Sequence, residues 1–200
     1  FDCKNDYKSD LIKRYNDENS SLISMGLDDG MWGSDDNSDK AFFNLKKNGK
    51  SLNVLEIGCG YGGFGASVAR YVKTYDGIDI SKEIIKNGNV AIKEADIKNM
   101  NLYHAKNCDI SFLDDSSYDI IFSSAVFIHT ETDVTKHYLR ETKRLLKSDG
   151  FFIHHLNVTS GIGVDDFYNK IYNINDCNEL FLNNGLNIIK TRDGIFFKND

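Results

Sequence analysis

Proline is absent from this chain of 200 residues, and together with the abundance of Asn, Lys and Ile that absence reads as the codon bias of an AT-rich genome. It excludes every signature that requires a proline. Cysteine is scarce: Cys3, Cys59, Cys108 and Cys177 are scattered with no Cys-x-x-Cys pair, so neither a zinc site nor a disulfide framework is indicated. No metal is expected. Positive charge is also short, with 24 Lys and Arg against 30 Asp and Glu for a net charge of −6. That balance argues against a surface that tracks phosphates by counterion release, so nucleic acid is not an expected partner. No apolar run approaches the roughly 20 residues needed to span a bilayer. The opening Phe-Asp-Cys-Lys-Asn-Asp lacks the basic and apolar regions of a signal peptide, and Phe at position 1 suggests that the native start is missing. The expectation is a cytoplasmic protein with no membrane partner.

Hydrophobic content of 40% with 27% charged residues suits one soluble globular core. Residues 3–25 are polar, with Tyr7, Leu11, Ile12, Tyr15, Leu22 and Ile23 at loose helical spacing, which predicts one or two amphipathic helices. Residues 26–37 are dense in Gly, Asp and Asn and read as a loop, whose Met31 and Trp32 suit either a lid or a packing staple. From residue 52 strand and helix alternate. Strands are predicted at 52–57, 75–80, 102–104, 119–123 and 151–156. Between them, a helix over 63–71 turns Phe64, Val68 and Val72 inward. A second helix, capped by Ser81, runs to about 95 with Ile84, Ile85 and Ile92 inward and Gly88 as a weak spot. A third enters through a Thr130/Asp133 capping arrangement and runs to Lys147 before Gly150. The tail reads as a helix over 176–183 and two strands, 186–191 and 195–198, joined by Arg-Asp-Gly, a hairpin signal. Alternating βα units ending in an antiparallel pair predict an α/β fold: a Rossmann-like, mainly parallel seven-stranded sheet with helices on both faces and an antiparallel C-terminal hairpin.

Chemistry concentrates in residues 54–65, Val-Leu-Glu-Ile-Gly-Cys-Gly-Tyr-Gly-Gly-Phe-Gly, where an apolar strand runs into a glycine-rich turn. Gly58, Gly60 and Gly63 satisfy the dinucleotide pattern Gly-x-Gly-x-x-Gly. Glu56 does not suit it, because a carboxylate at the mouth of the turn repels a pyrophosphate. It suits a zwitterionic sulfonium ligand that brings an ammonium group and no phosphate, such as S-adenosylmethionine. Asp79 follows Gly58 by 21 residues, near the distance of about 20 at which an acid meets a ribose in nucleotide-binding βαβ units.

The run from Glu56 to Gly62 resembles motif I of the class I S-adenosylmethionine-dependent methyltransferases, and further matches follow in order over roughly residues 50–200. Gly77-Ile78-Asp79-Ile80-Ser81 is similar to the family's second motif, Asn107-Cys108-Asp109-Ile110 to its adenine-reading segment, and the stretch 118–123 to its fourth-strand motif. Residues 145–150 stand where the family usually ends Lys-Pro-Gly-Gly, a departure confined to a turn. The resemblance implies S-adenosylmethionine as cofactor and a division into an N-terminal helical or lid segment, 1–50, and a cofactor-binding domain, 51–200. It implies that Gly58, Gly60 and Gly62 bring the backbone to the methionine part with Glu56 beneath it. Asp79 would take the ribose hydroxyls and Ile80 pack on the adenine. Asp109 and the Ile110 backbone would read the adenine edge, and Ser123 border the methionine moiety. Asp114 and Asp115 read as loop acids.

The acceptor is constrained by what is missing. Without proline there is neither the Asp/Asn-Pro-Pro-Tyr/Phe signature of base amino methylation nor the Pro-Cys nucleophile of cytosine C5 enzymes. Ser123 and Ser124 stand where catechol-type enzymes carry metal-binding aspartates. The remaining expectation is a small-molecule acceptor, a hydroxyl of a metabolite or of a bacterial polysaccharide precursor, in keeping with the segments 124–130 and 138–147. A hydroxyl acceptor benefits from a general base, and His129, after the fourth strand, is the first candidate. His154 and His155 point to opposite faces of the fifth strand, so they do not jointly chelate a metal. His155, nearer the carboxyl end, is the second candidate. His104 and His137 read as structural or exposed. The acceptor pocket is expected from the N-terminal helices, the Met31/Trp32 loop, the loop around His129 and the segment after Leu156 with Tyr168 and Tyr172. A nucleotide-dependent oxidoreductase and a non-catalytic cofactor-binding subunit are the alternatives; oligomeric state is not legible.

Overall fold

The structure is a computed structural model that describes residues 6–17, 45, 49–154, 156–163, 170–192 and 194–198. The chain divides into two compact units, residues 1–105 and 106–200. Compactness thus cuts it at 105, whereas the functional division expected from the sequence falls at 50.

The first unit contains α1 (Tyr7–Asn16), β1 (Asn53–Ile57), α2 (Gly63–Ala69), β2 (Thr74–Asp79), α3 (Lys82–Glu94) and β3 (Met100–His104). Its strands run parallel in the order β3-β2-β1, with Asn53 opposite Thr74 and Tyr75 opposite Met100. Residues 54–57 are buried without alternation, as in a strand covered on both faces. The ladder carries β3 two residues further back than periodicity indicated, because Met100 is buried and Asn101 donates to the Asp76 carboxylate at 2.9 Å. On α3 the buried stripe is Ile85, Gly88, Ala91 and Ile92, while Ile84 is exposed, contrary to expectation. Gly88 is no weak spot either. A Cβ there would stand 2.6 Å from both Leu102 Cδ1 and the Tyr61 carbonyl oxygen, so only glycine allows this approach. α1 starts at Asp6, whose carboxylate accepts from the Ser9 N–H at 3.0 Å, and buries Leu11. Arg70 donates to the carbonyls of Tyr15 (3.3 Å) and Asn16 (2.7 Å), satisfying the end of α1.

The second unit contains β4 (Tyr118–Ser123), α4 (Thr132–Leu145), β5 (Leu146–His154), β6 (Asn157–Thr159), β7 (Ile171–Asn173), α5 (Ile174–Leu182), β8 (Asn187–Arg192) and β9 (Gly194–Lys198). β4 and β5 are parallel; β9 runs antiparallel to β5, and β8 antiparallel to β9. β6 and β7 form a separate parallel pair, too short to leave a period in the sequence. α4 passes directly into β5 at Leu146, short of the predicted Lys147, because Leu146 pairs with Tyr118 and Lys147 Nζ reaches the Asp119 carboxylate at 2.8 Å. Of the two capping expectations, the Ser81 one holds in position and the Thr130 one is corrected. Ser81 is the N-cap of α3 but makes no side-chain cap bond, and Glu131 rather than Thr130 is the N-cap of α4. The Thr130 hydroxyl bonds the Thr135 hydroxyl instead, at 2.9 Å. The first unit, and the stretch from β4 to β5 in the second, alternate helices with parallel strands, which is the Rossmann-like α/β arrangement of a mostly parallel sheet.

Candidate active site

The glycine turn is folded by its own backbone. Gly58, Gly60 and Gly62 have φ of 78°, 56° and 87°, in the left-handed region open to glycine. The N–H groups of Gly58 and Cys59 both donate to the Ile78 carbonyl, at 2.8 and 3.0 Å, drawing the turn against the end of β2. Asp79 fastens it there. One carboxylate oxygen accepts from the Gly60 N–H at 3.0 Å and the other from the Ser81 N–H at 2.8 Å. A carboxylate oxygen has two acceptor positions, so these bonds leave capacity for ribose hydroxyls. Two of the glycines are required for different reasons. A Cβ on Gly62 would fall 2.4 Å from Met100 Cε, whereas one on Gly60 would meet nothing among the described residues within 4 Å. The open side at Gly60 is a cradle that a side chain would fill, and it fits a ligand approaching the backbone.

Glu56 lies beneath this turn, 4% exposed, and its carboxylate accepts from the Tyr75 hydroxyl. Burial disfavours its charged form and outweighs the Tyr75 bond; with the nearby Asp79 charge adding to burial, the Glu56 pKa is pushed up to about 8. The same burial and the Glu56 charge push Tyr75 well above its ordinary value. Gly65 makes room for the pair, since a Cβ there would stand 2.1 Å from the Tyr75 ring. Ile80, the expected adenine platform, is 65% exposed, and its carbonyl is 3.1 Å from His104 Nε2.

Tyr61, between Gly60 and Gly62, is held from α1. Its hydroxyl donates to Asp10 at 2.7 Å, and its ring stacks on Tyr7 with centroids 4.5 Å apart. Arg14 Nε donates to the same Asp10 carboxylate at 2.6 Å. Partial burial raises the Asp10 pKa, but the bonds from Tyr61 and Arg14 outweigh it and leave the carboxyl below its ordinary value. Beyond an Asp and an Arg four residues apart on a predicted helix, nothing in the residue pattern signals this tie.

Asp109, Ile110, Ser123 and His129 lie in the second unit. Asp109 is exposed and accepts from the Ser111 N–H at 3.0 Å; that bond, ahead of the nearby His137, lowers its pKa. It is presented by a strained bend, for Asn107 and Cys108 both have positive φ, 54° and 61°. His137 Nε2 stands 2.9 Å from the Cys108 carbonyl, and Arg144 donates to the carbonyls of Ile110 (3.1 Å) and Leu113 (2.7 Å), which fix the bend to α4. Asp115 pairs with Arg144 at 2.5 Å, a loop acid as expected. Ile110 and Ser123 are fully buried. His129 ends a one-turn 3-10 segment, Phe127–His129, and is exposed. His154 is packed among Phe127, Phe152 and Phe181, with ring centroids at 4.5, 5.4 and 5.8 Å. His155, Met31, Trp32 and Tyr168 lie outside the described residues. Within the first unit, then, Glu56, the three glycines and Asp79 converge on one turn, with Ile80 following Asp79.

Residues 54–150 match the family model described as a methyltransferase domain. Over 125 residues the chain is 30% identical to the uncharacterized methyltransferase YcgJ of Bacillus subtilis (strain 168), covering 62% of this chain and 48% of that protein. The chain therefore spans about half the length of this curated relative. Among solved structures, a SAM-dependent methyltransferase from Aquifex aeolicus superposes with a TM-score of 0.61 at 17% identity, covering 82% of this chain and 93% of that one. An O-methyltransferase from a trans-AT PKS multienzyme of Brevibacillus brevis, solved in complex with S-adenosyl-L-homocysteine, gives 0.61 at 19% identity, covering 70% and 48%. These structures establish the fold. By sequence, residues 54–150 are similar to a methyltransferase domain.

Proposed function

We propose that the chain methylates a small molecule with S-adenosylmethionine as donor, on a hydroxyl of a metabolite or of a bacterial polysaccharide precursor. The glycine turn carries this reading: Asp79 clamps the Gly60 N–H, the Gly60 face is open, and an acid rather than a phosphate-binding group lies beneath. Gly58, Gly60 and Gly62 cradle the methionine part above Glu56, and Asp79 and Ile80 take the ribose and adenine. Asp109 and Ile110 read the adenine edge, and Ser123 borders the methionine moiety. When bound, the sulfonium supplies an already activated methyl group for in-line displacement. The chain's own contribution is to hold the acceptor oxygen in line, worth several kcal/mol as effective molarity, and to take its proton. His129 takes that proton, with His155 as second candidate. Residues 1–50 serve as the lid segment.

Calorimetry with S-adenosylhomocysteine and NADH tests the cofactor, and binding of NADH alone would refute the proposal. Replacement of His129 by Ala is expected to lower turnover about 10²- to 10⁴-fold at unchanged S-adenosylhomocysteine affinity. Full turnover at saturating acceptor would remove His129 from the reaction.

A further inference from the structure

Within the second unit, three side chains of α4 reach into the irregular segment that carries Asp109 and Ile110. His137, Glu141 and Arg144 follow one another at i, i+4 and i+7, a spacing that places them on one face of the helix. The segment they meet holds Asn107, Cys108 and Ser116 at φ of 54°, 61° and 50°, angles that residues with side chains keep only where their surroundings fix them. His137 Nε2 donates to the Cys108 carbonyl at 2.9 Å. Arg144 Nη2 donates to the Ile110 carbonyl at 3.1 Å, and Nη1 to the Leu113 carbonyl at 2.7 Å and to Asp115 at 2.5 Å. Its Nε and Nη2 also donate to one Glu141 oxygen, at 3.0 and 2.6 Å. A guanidinium is planar with its donors in a rigid fork, so once Glu141 sets the plane the directions towards the carbonyls are set with it.

These bonds fall on either side of one peptide. The peptide joining Cys108 to Asp109 is held at both ends, its carbonyl by His137 and its N–H by the Lys106 carbonyl at 3.0 Å. The peptide joining Ile110 to Ser111 is held likewise. Its carbonyl accepts from Arg144 and from the Leu113 N–H at 3.1 Å, and its N–H donates to the Asp109 carboxylate at 3.0 Å. Between the two lies the peptide that carries the Ile110 N–H. Ile110 is fully buried, yet no group among the described residues accepts from that N–H. A buried donor without an acceptor is rare because it costs free energy, so this one points to an acceptor brought by a ligand. The preceding side chain is the exposed Asp109 carboxylate, one oxygen of which Ser111 engages. A donor next to an acceptor complements a base edge that presents a ring nitrogen beside an amino group.

We propose that Arg144 and His137 are positioning residues for base selection: by fixing the two flanking peptides they aim the Ile110 N–H and the Asp109 carboxylate as a pair. The proposal rests on the adenine role that the methyltransferase reading gives to Asp109 and Ile110, and both side chains act through the backbone, not on the base. A hypoxanthine edge has a ring N–H and a carbonyl where adenine has a bare nitrogen and an amino group. It sets donor against donor and carbonyl against carboxylate, and the penalty is felt only while the pair keeps its aim.

The test is calorimetric titration with S-adenosylhomocysteine and with its inosine analogue, in which an oxo group replaces the amino group. The wild type is expected to favour the adenine ligand at least about tenfold, in the range of a two-point base contact. Arg144→Lys keeps the charge but loses the fork, and His137→Leu removes the donor to Cys108. Each is expected to lower the ratio of the two affinities at least about threefold, as for loss of one hydrogen bond. A merely structural role would weaken both ligands alike and leave the ratio where it was. His137→Leu decides the matter should Arg144→Lys fail to fold. A smaller drop in a folded variant would overturn the assignment of that residue, and a wild type indifferent to the two bases would overturn the whole proposal while the methyltransferase reading stands. Failure of S-adenosylhomocysteine to bind the wild type would refute that reading and the proposal with it.

Discussion

At the scale of single residues, Asp79 is already engaged before any ribose is considered, holding the Gly60 and Ser81 N–H groups. Its replacement by Ala therefore removes a support of the turn as well as the proposed ligand contact. The expected loss of S-adenosylhomocysteine affinity is about 1–3 kcal/mol, read by calorimetry, and an unchanged Kd would place Asp79 outside the site. Glu56 makes a different demand. Its carboxyl titrates at about 8 when folded against an ordinary value of 4.5, so the folded chain binds the proton more tightly than the unfolded one. Its contribution to stability is complete below pH 4.5 and is lost as the pH rises towards and through 8. Urea unfolding of wild type and Glu56→Gln at pH 5 and pH 8 checks the sign: the wild type is expected to lose more stability over that interval than the variant, which keeps an acceptor for the Tyr75 hydroxyl. Glu56 and Asp79 were legible as acids of the glycine turn because their spacing around it is local. Tyr75 was not, since burial beside a particular partner is a property of packing that no spacing encodes.

At the scale of elements, α3 shows why helix propensity alone misleads. Gly88→Ala in an open helix would gain about 1 kcal/mol. Here the added methyl meets Leu102 and the Tyr61 carbonyl, and overpacking is expected to cost about 1–3 kcal/mol instead, measured as a lower urea midpoint. The βα alternation could be read from residues 52 to 156 because each unit repeats a long apolar strand and an amphipathic helix. Strand ends could not, since they follow the register of the neighbour, as at Met100 and Leu146. α1 was read as a loose amphipathic helix without a destination. Its contact with Tyr61 gives it one, and Asp10→Ala is expected to weaken S-adenosylhomocysteine binding by about 0.5–1.5 kcal/mol. An unaltered Kd would show the tie to be purely structural.

At the scale of the whole molecule, ligand binding and folding are linked. At a concentration of 100 Kd, S-adenosylhomocysteine is expected to add about 2.7 kcal/mol of stability, roughly 5–10 °C in Tm for a chain of this size, with NADH without effect. Charge was the global property most readily read, since an excess of acids bears on partners without reference to fold. The division at residue 105 was not legible, because it depends on contacts spread through space. One contact also bears on timing. Tyr61 is stacked on Tyr7 and bonded to Asp10 while its neighbours Gly60 and Gly62 shape the turn, so the first helix is fastened to what the proposed function makes the floor of the donor pocket. Anything that tugs α1 away, whether an acceptor settling or another macromolecule docking, would alter how long spent product lingers, and turnover would then be paced by a segment remote in sequence from the transferred methyl.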